Sequence, residues 1–246
     1  MSIETPEELE RLKAAGRVVA EAIRAMRQSV RPGVTTAELD RIGARVFRGA
    51  GARSGPQLDY GFPGVNCISV NDEAVHGIPG RRRLRRGDLV KLDVTAELDG
   101  FYADACVSVP VGGARPSTFG LVAAALDGLK QALSAARAGV PINRIGSAVE
   151  QTVHRRGYAV CCDLMGHGIG RRIHEEPQVL NHYVPGPSQQ LTGGLVITIE
   201  PIISAGSGAV RQTGDGWTIK TADGALCAHV EHTVVITDGA PLILTT

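Results

Sequence analysis

Two aspartates, Asp93 and Asp104, lie on the same face of a predicted β-hairpin that spans Leu89 to Val109. Asp99-Gly100 is a strong turn signal between two β-prone runs, in which polar and apolar residues alternate. With this turn as the loop, the two carboxylates are diagonal neighbours whose Cα atoms are roughly 7–8 Å apart. Two side chains of that reach can bind one metal ion, or two.

The same turn fixes the register of the hairpin, so that Thr95 lies opposite Asp104 and Asp93 lies opposite Cys106. A simpler interpretation is that both acids are solvated residues on the wet side of an ordinary sheet. The two interpretations differ in whether the polar face of the hairpin is covered, and other acids in the chain favour the metal site.

Two glutamates occupy strands that otherwise read as buried. Glu200 ends the apolar run Val-Ile-Thr-Ile, and Glu231 interrupts the run Ala228 to Ile236. A buried acid needs a basic partner or a metal ion, because an uncompensated buried charge is very costly. Among the basic residues, only Lys91 lies in one of these strands near the acids.

Two histidines complete the set of residues suited to metal chemistry. His167 stands between glycines, which let the backbone approach another group closely, and His174 follows seven residues later. The four acids carry four negative charges, so two divalent ions neutralise them where one does not. Oxygen ligands with one imidazole suit Mn(II), Co(II), Fe(II), Zn(II) or Mg(II), with little selectivity among them.

The composition is that of an ordinary globular protein. The 246 residues, 43% of them hydrophobic, suffice for one large domain or two fused halves, and no apolar run is long enough to span a membrane. A formal net charge of +1 gives no overall field for nucleic acid or an anionic membrane, although five arginines cluster between Arg81 and Arg86. The five cysteines are odd in number and lack C-x-x-C spacing, which favours a reducing cytoplasm.

The elements that must position these residues follow from caps and periodicity. Capping boxes at Thr5–Glu8 and Thr35–Glu38 predict two helices, and apolar periodicity predicts two more. The later helices are Ser117–Ala138 and Asn143–Arg156, and the predicted strands outside the hairpin are Cys67–Val70, Tyr158–Leu164, Leu195–Pro201, Gly216–Thr221 and Cys227–Thr237. The segment Pro56–Val65 reads as irregular. A faint repeat, such as Gly33-Val34 with Gly139-Val140, predicts a site at a seam between two similar halves.

Five motifs carry a resemblance that covers essentially the whole chain. They are LDVTAELDGFYADA, GHGIGRRIHEEP, TIEP, DGWTIKT and EHTVVIT, and they resemble those of the type I methionine aminopeptidases. The resemblance implies an α+β pita-bread fold: two pseudo-symmetric halves with a curved antiparallel sheet covered by helices. It implies a single catalytic domain, 1–246, with halves of about 1–115 and 116–246.

The resemblance also implies a role for each site residue. The implied metal ligands are Asp93, Asp104, His167, Glu200 and Glu231, with Asp104 and Glu231 bridging two divalent ions. His76, His174 and Glu200 are the implied catalytic residues, Glu200 as proton shuttle and His174 as oxyanion donor. The two histidines also touch the substrate, and the implied wall of its pocket is Tyr60, Phe62, Cys67, Ile173 and Trp217. His229 and His232 receive no role beyond a structural hydrogen bond.

The implied activity is removal of the initiator methionine before a small second residue, by hydroxide attack from a dinuclear metal centre. The alternatives are an aminopeptidase of Xaa-Pro specificity and a non-catalytic peptide-binding protein. Xaa-Pro aminopeptidases usually carry a large extra N-terminal domain, for which there is no room before Asp93. The implied partners are nascent polypeptide N-termini, with no membrane, for a cytoplasmic monomer. Docking of the Arg81 to Arg86 cluster on the ribosome is a further hypothesis.

Overall fold

The computed structural model of the protein describes residues 1–246. Its helices are α1 (Pro6–Gln28), α2 (Thr36–Ala50), α3 (Gly55–Tyr60), α4 (Pro116–Ala135) and α5 (Asn143–Arg155). Its strands are β1 (Arg53–Ser54), β2 (Cys67–Val70), β3 (Glu73–Val75), β4 (Leu89–Leu98), β5 (Phe101–Pro110), β6 (Ala159–Val160), β7 (Gly166–Gly168), β8 (Glu175–Val179), β9 (Val196–Ile199), β10 (Ile202–Ser204), β11 (Val210–Gln212), β12 (Ile219–Thr221), β13 (Cys227–His229), β14 (His232–Val235) and β15 (Leu242–Ile243). None of the helices combines the length and the hydropathy that a membrane-spanning segment needs.

All strand pairs are antiparallel, and they form four small sheets. One sheet joins β1, β2 and β5 to the central strand β4, and another has the order β15-β14-β9-β7-β8. The remaining two have the orders β13-β10-β6 and β11-β12-β3. The predicted combination of antiparallel sheet and covering helices is confirmed.

The starts of the first two helices were predicted correctly. Thr35 and Glu38 form a complete capping box, in which each side chain binds the other's backbone N–H. Thr5 caps α1, but the Glu8 carboxylate accepts from the backbone N–H of Glu4, so the predicted box there is only half formed. Both caps satisfy N–H groups that a helix terminus leaves without a partner.

The segment Pro56–Val65 was predicted to be irregular, and this prediction is wrong for its first half. Ser54 caps the short helix α3 by accepting a hydrogen bond from Gln57 N at 3.3 Å, and a proline stands in its first turn. Gly61 then ends the helix with a φ of 70°. Ser-Gly-Pro is a helix-start signal, but a helix of only six residues has too few apolar positions to show a period.

The hairpin has the predicted turn and register. Asp99 and Gly100 both have positive φ, at 50° and 83°, as a tight two-residue hairpin turn requires. Thr95 pairs with Asp104, and Asp93 pairs with Cys106. The polar face is nevertheless covered, since Thr95 is only 3% exposed and Asp104 only 6%. The interpretation as a solvated surface residue is therefore wrong for Asp104, while Asp93 is half-buried.

Four predicted strands are shorter than the sequence indicates. Leu195–Pro201 forms only β9, Val196–Ile199, and Gly216–Thr221 forms only β12, Ile219–Thr221. The run Tyr158–Leu164 forms only the two-residue β6, because the chain turns after Cys161. The run Cys227–Thr237 is broken into β13 and β14 at Val230 and Glu231. The backbone N–H of Glu231 leaves the sheet and binds Cys106 O at 3.0 Å, on the central hairpin. Burial pattern alone does not reveal such a break, because both pieces are equally apolar.

Two hydrophobic clusters lie on either side of the polar face of the hairpin. One cluster joins α1 and α2 to the apolar face of β4 and β5. The other joins α4 and α5 to β9, β10, β13 and β14. A third, smaller cluster packs Leu12 and Phe101 with Ile169 and Val196, so apolar contacts also join the two parts of the chain. The division into halves of about 1–115 and 116–246 stays a prediction.

Candidate metal centre and substrate cleft

A cleft of about 720 Å³ opens above the polar face of the hairpin, a volume typical of small-molecule sites. Its lining includes every residue that the sequence analysis placed at the site. These residues are Tyr60, Phe62, Cys67, His76, Asp93, Asp104, His167, Ile173, His174, Glu200, Trp217 and Glu231. The structure thus brings together residues from both halves of the chain.

Asp104 is held from two sides. Thr95, its partner on β4, donates from Oγ1 to Asp104 Oδ2 at 2.9 Å. Thr233 on β14 accepts from Asp104 N at 2.8 Å and donates to Asp104 O at 2.7 Å, which ties the hairpin to the second half. Asp104 Oδ1 is buried without a hydrogen-bond partner. One carboxylate oxygen is thereby fixed and the other is free to bind a cation.

The glycines on both sides of His167 are required by close backbone packing, as the sequence predicts. A Cβ atom at Gly166 would lie 2.6 Å from Thr198 O, and one at Gly168 would lie 2.1 Å from Glu176 O. The His167 ring has Nδ1 2.9 Å from Gly168 O, which assigns the N–H to Nδ1. The lone pair of Nε2 then faces Glu200 Oε1, at 3.5 Å. This is the arrangement expected of a histidine that binds a metal through Nε2.

Glu200 directly follows β9 and is 7% exposed. Thr198 donates to Glu200 Oε1 at 2.9 Å, and Asn181 Nδ2 donates to the backbone oxygen of Glu200 at 2.9 Å. Thr198 also accepts from His167 N at 3.0 Å, so one hydroxyl positions both side chains. The sequence analysis missed Thr198, although its place two residues before Glu200 puts it on the same strand face.

Glu231 is 2% exposed, and its Oε1 has no hydrogen-bond partner. No lysine or arginine forms an ion pair with this acid or with the three others of the cleft. Lys91 is fully buried nearby, but its ammonium group donates to two backbone carbonyls, Asn71 O at 2.8 Å and Cys227 O at 3.1 Å. Lysine and arginine partners are thus excluded, so the buried acids are neutralised either by their own protonation or by a bound cation.

Burial and mutual repulsion favour the protonated acids while no cation is bound. Burial raises the pKa of Asp104 and of Glu200 to about 7, with the Glu200 charge adding to the shift at Asp104. Burial, followed by the neighbouring acids, also raises the pKa of Asp93 and of Glu231 well above the usual range. A divalent ion favours the charged carboxylates instead, so metal binding here releases protons.

Two overlapping groups of side chains have a geometry that fits a metal ion. In each group the potential ligand atoms lie within 4.8 Å of one another. One group is Asp104, His167 and Glu231, and the other is Glu200, His229 and Glu231. Asp93 lines the cleft but belongs to neither group. Two carboxylates with an imidazole suit divalent transition metals, and the partnerless oxygens of Asp104 and Glu231 fit such ions.

The prediction that His229 makes only a structural hydrogen bond is wrong. Its ring is 2% exposed and neither ring nitrogen has a hydrogen-bond partner. The same prediction for His232 is confirmed, because His232 Nδ1 lies 2.8 Å from Thr245 Oγ1. The only signal in the sequence is that His229, like Glu231, interrupts an apolar run.

Part of the lining of the cleft is apolar. Phe62 and Trp217 pack edge to face with ring centroids 5.2 Å apart, and Cys67 and Ile173 are buried residues that line the same cleft. Cys67 pairs with Asp93 in the sheet, so the predicted wall of the pocket reaches the acids. Tyr60 differs from the other four because it is 50% exposed and contributes a polar contact.

Two histidines line the cleft along with the apolar wall and the acids. Tyr60 Oη lies 2.6 Å from His174 Nδ1, and the His174 ring packs edge to face on His167 at 4.2 Å between centroids. His76 has a φ of 56°, a conformation uncommon for residues other than glycine and often found at functional sites. Burial lowers the pKa of His174 and lowers that of His76 to about 4, so both rings are neutral at pH 7.

Comparison with known proteins identifies the class to which this fold and site belong. The sequence pattern of Metallopeptidase family M24 matches residues 10–238. The chain therefore belongs to the M24 metallopeptidases.

Within that family the chain is similar to methionine aminopeptidases. It is 43% identical to methionine aminopeptidase 2 of Bacillus subtilis (strain 168), over 100% of this chain and 99% of that protein. The solved structure of methionine aminopeptidase from Thermotoga maritima has a TM-score of 0.97 and 36% identity. That from Rickettsia prowazekii has a TM-score of 0.96 and 34% identity, and in both cases 100% of each chain is covered. The fold is thus the pita-bread fold, as the motifs implied.

The raised pKa values predict an inverse dependence of stability on pH for the metal-free protein. An acid whose pKa is raised on folding contributes stability that is complete below its unfolded value and lost as the pH rises through its folded value. Between pH 7.5 and 8.5 we expect the free energy of unfolding to fall, by about 1.4 kcal/mol per pH unit for each proton that only the folded state retains. The histidines whose pKa values are lowered by burial oppose this trend at lower pH, where the unfolded chain protonates them, but above about pH 7.5 they are neutral in both states.

Thermal unfolding of chelator-treated protein across this pH range measures the effect. Saturating Mn(II) should raise the melting temperature more at pH 8.5 than at pH 7.5, because the ion replaces the lost protons. A melting temperature of the metal-free protein that stays constant or rises over the range contradicts the prediction.

Proposed function

We propose that the protein removes the N-terminal methionine from peptides and proteins whose second residue is small, using two divalent ions in the cleft. The proposal rests on one observation. Five potential metal ligands and a set of apolar side chains line the same cleft of an M24 fold. The protein is a hydrolase of the metallopeptidase class that acts as a methionine aminopeptidase. The number and identity of the ions belong to the proposal.

The proposed ligands are Asp93, Asp104, His167, Glu200 and Glu231. Glu231 belongs to both groups of potential ligands and would therefore help to hold both ions. Asp104, whose Oδ1 has no hydrogen-bond partner, would share this task, as the motifs imply. When bound, divalent ions lower the pKa of water toward neutrality and so supply the nucleophile.

Glu200 is the proposed proton shuttle. Thr198 donates to its Oε1 and so fixes the carboxyl within the cleft. As a carboxylate there, it can take a proton from water and pass it to the leaving amine. The neighbouring acid Asp93, beside the same cleft, serves only as a ligand in this proposal.

His174 is the proposed donor to the developing oxyanion, and Tyr60 orients it. Burial raises the pKa of Tyr60, so its phenol stays protonated and its O–H can donate to His174 Nδ1. This contact leaves the ring proton of neutral His174 on Nε2, as a donor to the substrate. His76, held in its uncommon backbone conformation, is the proposed contact of the leaving nitrogen.

The apolar part of the cleft is the proposed methionine pocket. Phe62 and Trp217 offer ring edges and faces, and Cys67 and Ile173 offer small apolar surfaces. An unbranched thioether fits irregular apolar space and contacts aromatic rings favourably. A pocket of this kind discriminates by only about 1–3 kcal/mol per methylene-sized difference, so leucine and norleucine are slow substrates.

Nascent chains are the proposed natural substrates, and a cytoplasmic, monomeric enzyme fits them. Ribosome docking through the arginine cluster stays a hypothesis. Two of the five arginines are engaged within the protein: Arg82 pairs with Glu73 at 2.8 Å, and Arg83 donates to Gly33 O at 2.8 Å. Arg81, Arg85 and Arg86 are exposed without an ion pair and supply the charge that such docking requires.

Specificity is predicted to require both methionine and a small second residue. On a panel of Met-Xaa-Ser and Xaa-Ala-Ser peptides, kcat/KM should be highest for Met before Ala, Gly or Ser, because the acids and both histidines crowd the second position. Met before a large residue should be cut at least tenfold more slowly. Faster cleavage before proline, whatever the first residue, would place the protein in the Xaa-Pro class, and binding without cleavage of any peptide would make it a peptide-binding protein.

Replacing Asp104 by Asn should reduce turnover at least a hundredfold and lower the metal content, because one bridging carboxylate is lost while the side-chain volume stays the same. The matched control is Asp99→Asn, in the exposed turn of the same hairpin, where Asn tolerates the positive φ. Turnover and metal content are measured together. Activity of Asp104→Asn within tenfold of the parent, at unchanged metal content, would contradict the two-ion proposal.

Replacing Tyr60 by Phe should lower kcat about three- to tenfold and leave KM nearly unchanged, because the His174 ring loses the contact that fixes its proton on Nε2. Tyr183→Phe, which removes an exposed phenol elsewhere, is the matched control. Steady-state kinetics on one peptide separate the two constants. A raised KM at constant kcat would assign Tyr60 to substrate binding instead.

A further inference from the structure

His229 is a buried histidine at the metal centre to which no role has been given so far. Its Nε2 lies 3.5 Å from Glu200 Oε2 and 3.5 Å from Glu231 Oε2. Neither nitrogen has another partner. A buried polar group without a partner is rare in native proteins and calls for an explanation.

The backbone of His229 is clamped to the central hairpin. Ser108 on β5 donates from Oγ to His229 O at 2.8 Å and accepts from His229 N at 2.9 Å. In addition, β13 pairs with β10, with His229 opposite Ile202. The position of the ring between the two glutamates is therefore set by the fold and does not depend on a bound ion.

The contrast with His167 indicates which ring nitrogen of His229 carries the proton. His167 Nδ1 is bonded to Gly168 O, so its Nε2 is left as an acceptor. His229 Nδ1 has no acceptor within reach, whereas its Nε2 has two carboxylate oxygens beside it. In a neutral imidazole the single N–H goes to the nitrogen that has an acceptor.

We propose that His229 is a positioning residue. It donates its Nε2–H to Oε2 of Glu200 and of Glu231, and so orients Oε1 of each glutamate toward the ions. The two distances are long for a hydrogen bond, as is common in active sites before the ligand is bound. Oε1 of Glu231 has no hydrogen-bond partner, and Oε1 of Glu200 accepts one hydrogen bond from Thr198 and lies 3.5 Å from His167 Nε2, which leaves it a second lone pair for an ion. The inference rests on the proposed metal centre.

Three variants test the donor role by calorimetric titration of metal-free protein with Mn(II). His229→Leu removes the donor and should weaken Mn(II) binding about ten- to hundredfold, the usual effect of losing an outer contact of a ligand. His229→Gln keeps an N–H donor at a similar reach and should bind Mn(II) within about threefold of the parent. His154→Leu, on the exposed face of α5, is the control for loss of a histidine and should match the parent.

The outcomes separate the alternatives. Unchanged Mn(II) affinity of His229→Leu overturns the proposal, and so does equal weakening of the Leu and Gln variants, which would make the imidazole itself a ligand. Failure of the parent to bind Mn(II) at all would instead overturn the proposed metal centre.

A spectroscopic readout on the parent protein reports the tautomer of the His229 ring directly. In Zn(II)-loaded protein with nitrogen-15 histidine, long-range proton–nitrogen correlation distinguishes the two tautomers. We expect the His229 ring to carry its proton on Nε2 and the His167 ring to carry its proton on Nδ1, with His229→Gln identifying the signal by its loss. A His229 ring protonated on Nδ1, with Nε2 bare, overturns the donor role.

Discussion

The structure depends on the placement of four carboxylates in one buried seam without a single basic partner. Charges of the same sign repel strongly where water is excluded, so Asp93, Asp104, Glu200 and Glu231 weaken the fold unless protons or cations join them. Two apolar clusters, one in each half, supply the stability that keeps the acids together. The divalent ions implied by the family are thus both the catalytic agent and the counter-charge of the seam.

The polar residues around the seam hold the acids without neutralising them. The Lys91 ammonium is satisfied by carbonyls of two separate segments, which leaves the carboxylates free for ions. Thr95 and Thr198 each occupy one oxygen of a neighbouring acid, and Thr233 joins the hairpin to the second half through the backbone of Asp104. Neutral donors suit this task, because a charged donor would compete with the metal for the same oxygens.

The histidines of the cleft differ in the hydrogen-bond partner of Nδ1. His167 Nδ1 contacts a backbone carbonyl and His174 Nδ1 contacts a tyrosine hydroxyl. His229 Nδ1 has no partner, and its Nε2 faces two carboxylates. A neutral imidazole has one donor and one acceptor, and its second contact decides which of them faces the cleft. These differences underlie the proposed roles of the three residues, as a ligand, as a substrate donor and as a support for other ligands.

The sequence by itself determined the local elements and most of the site. The turn at Asp99-Gly100 fixes the hairpin register, caps fix the helix starts, and an acid in an apolar strand signals a cation, because each of these depends on neighbours along the chain. The tertiary structure alone decided that the polar face is covered, that a strand breaks at Glu231, and that Lys91 binds carbonyls instead of the acids. It also brought His229 to the seam. These features arise from contacts between the two halves. The sequence pattern of a single segment does not show which residues of the other half will pack against it.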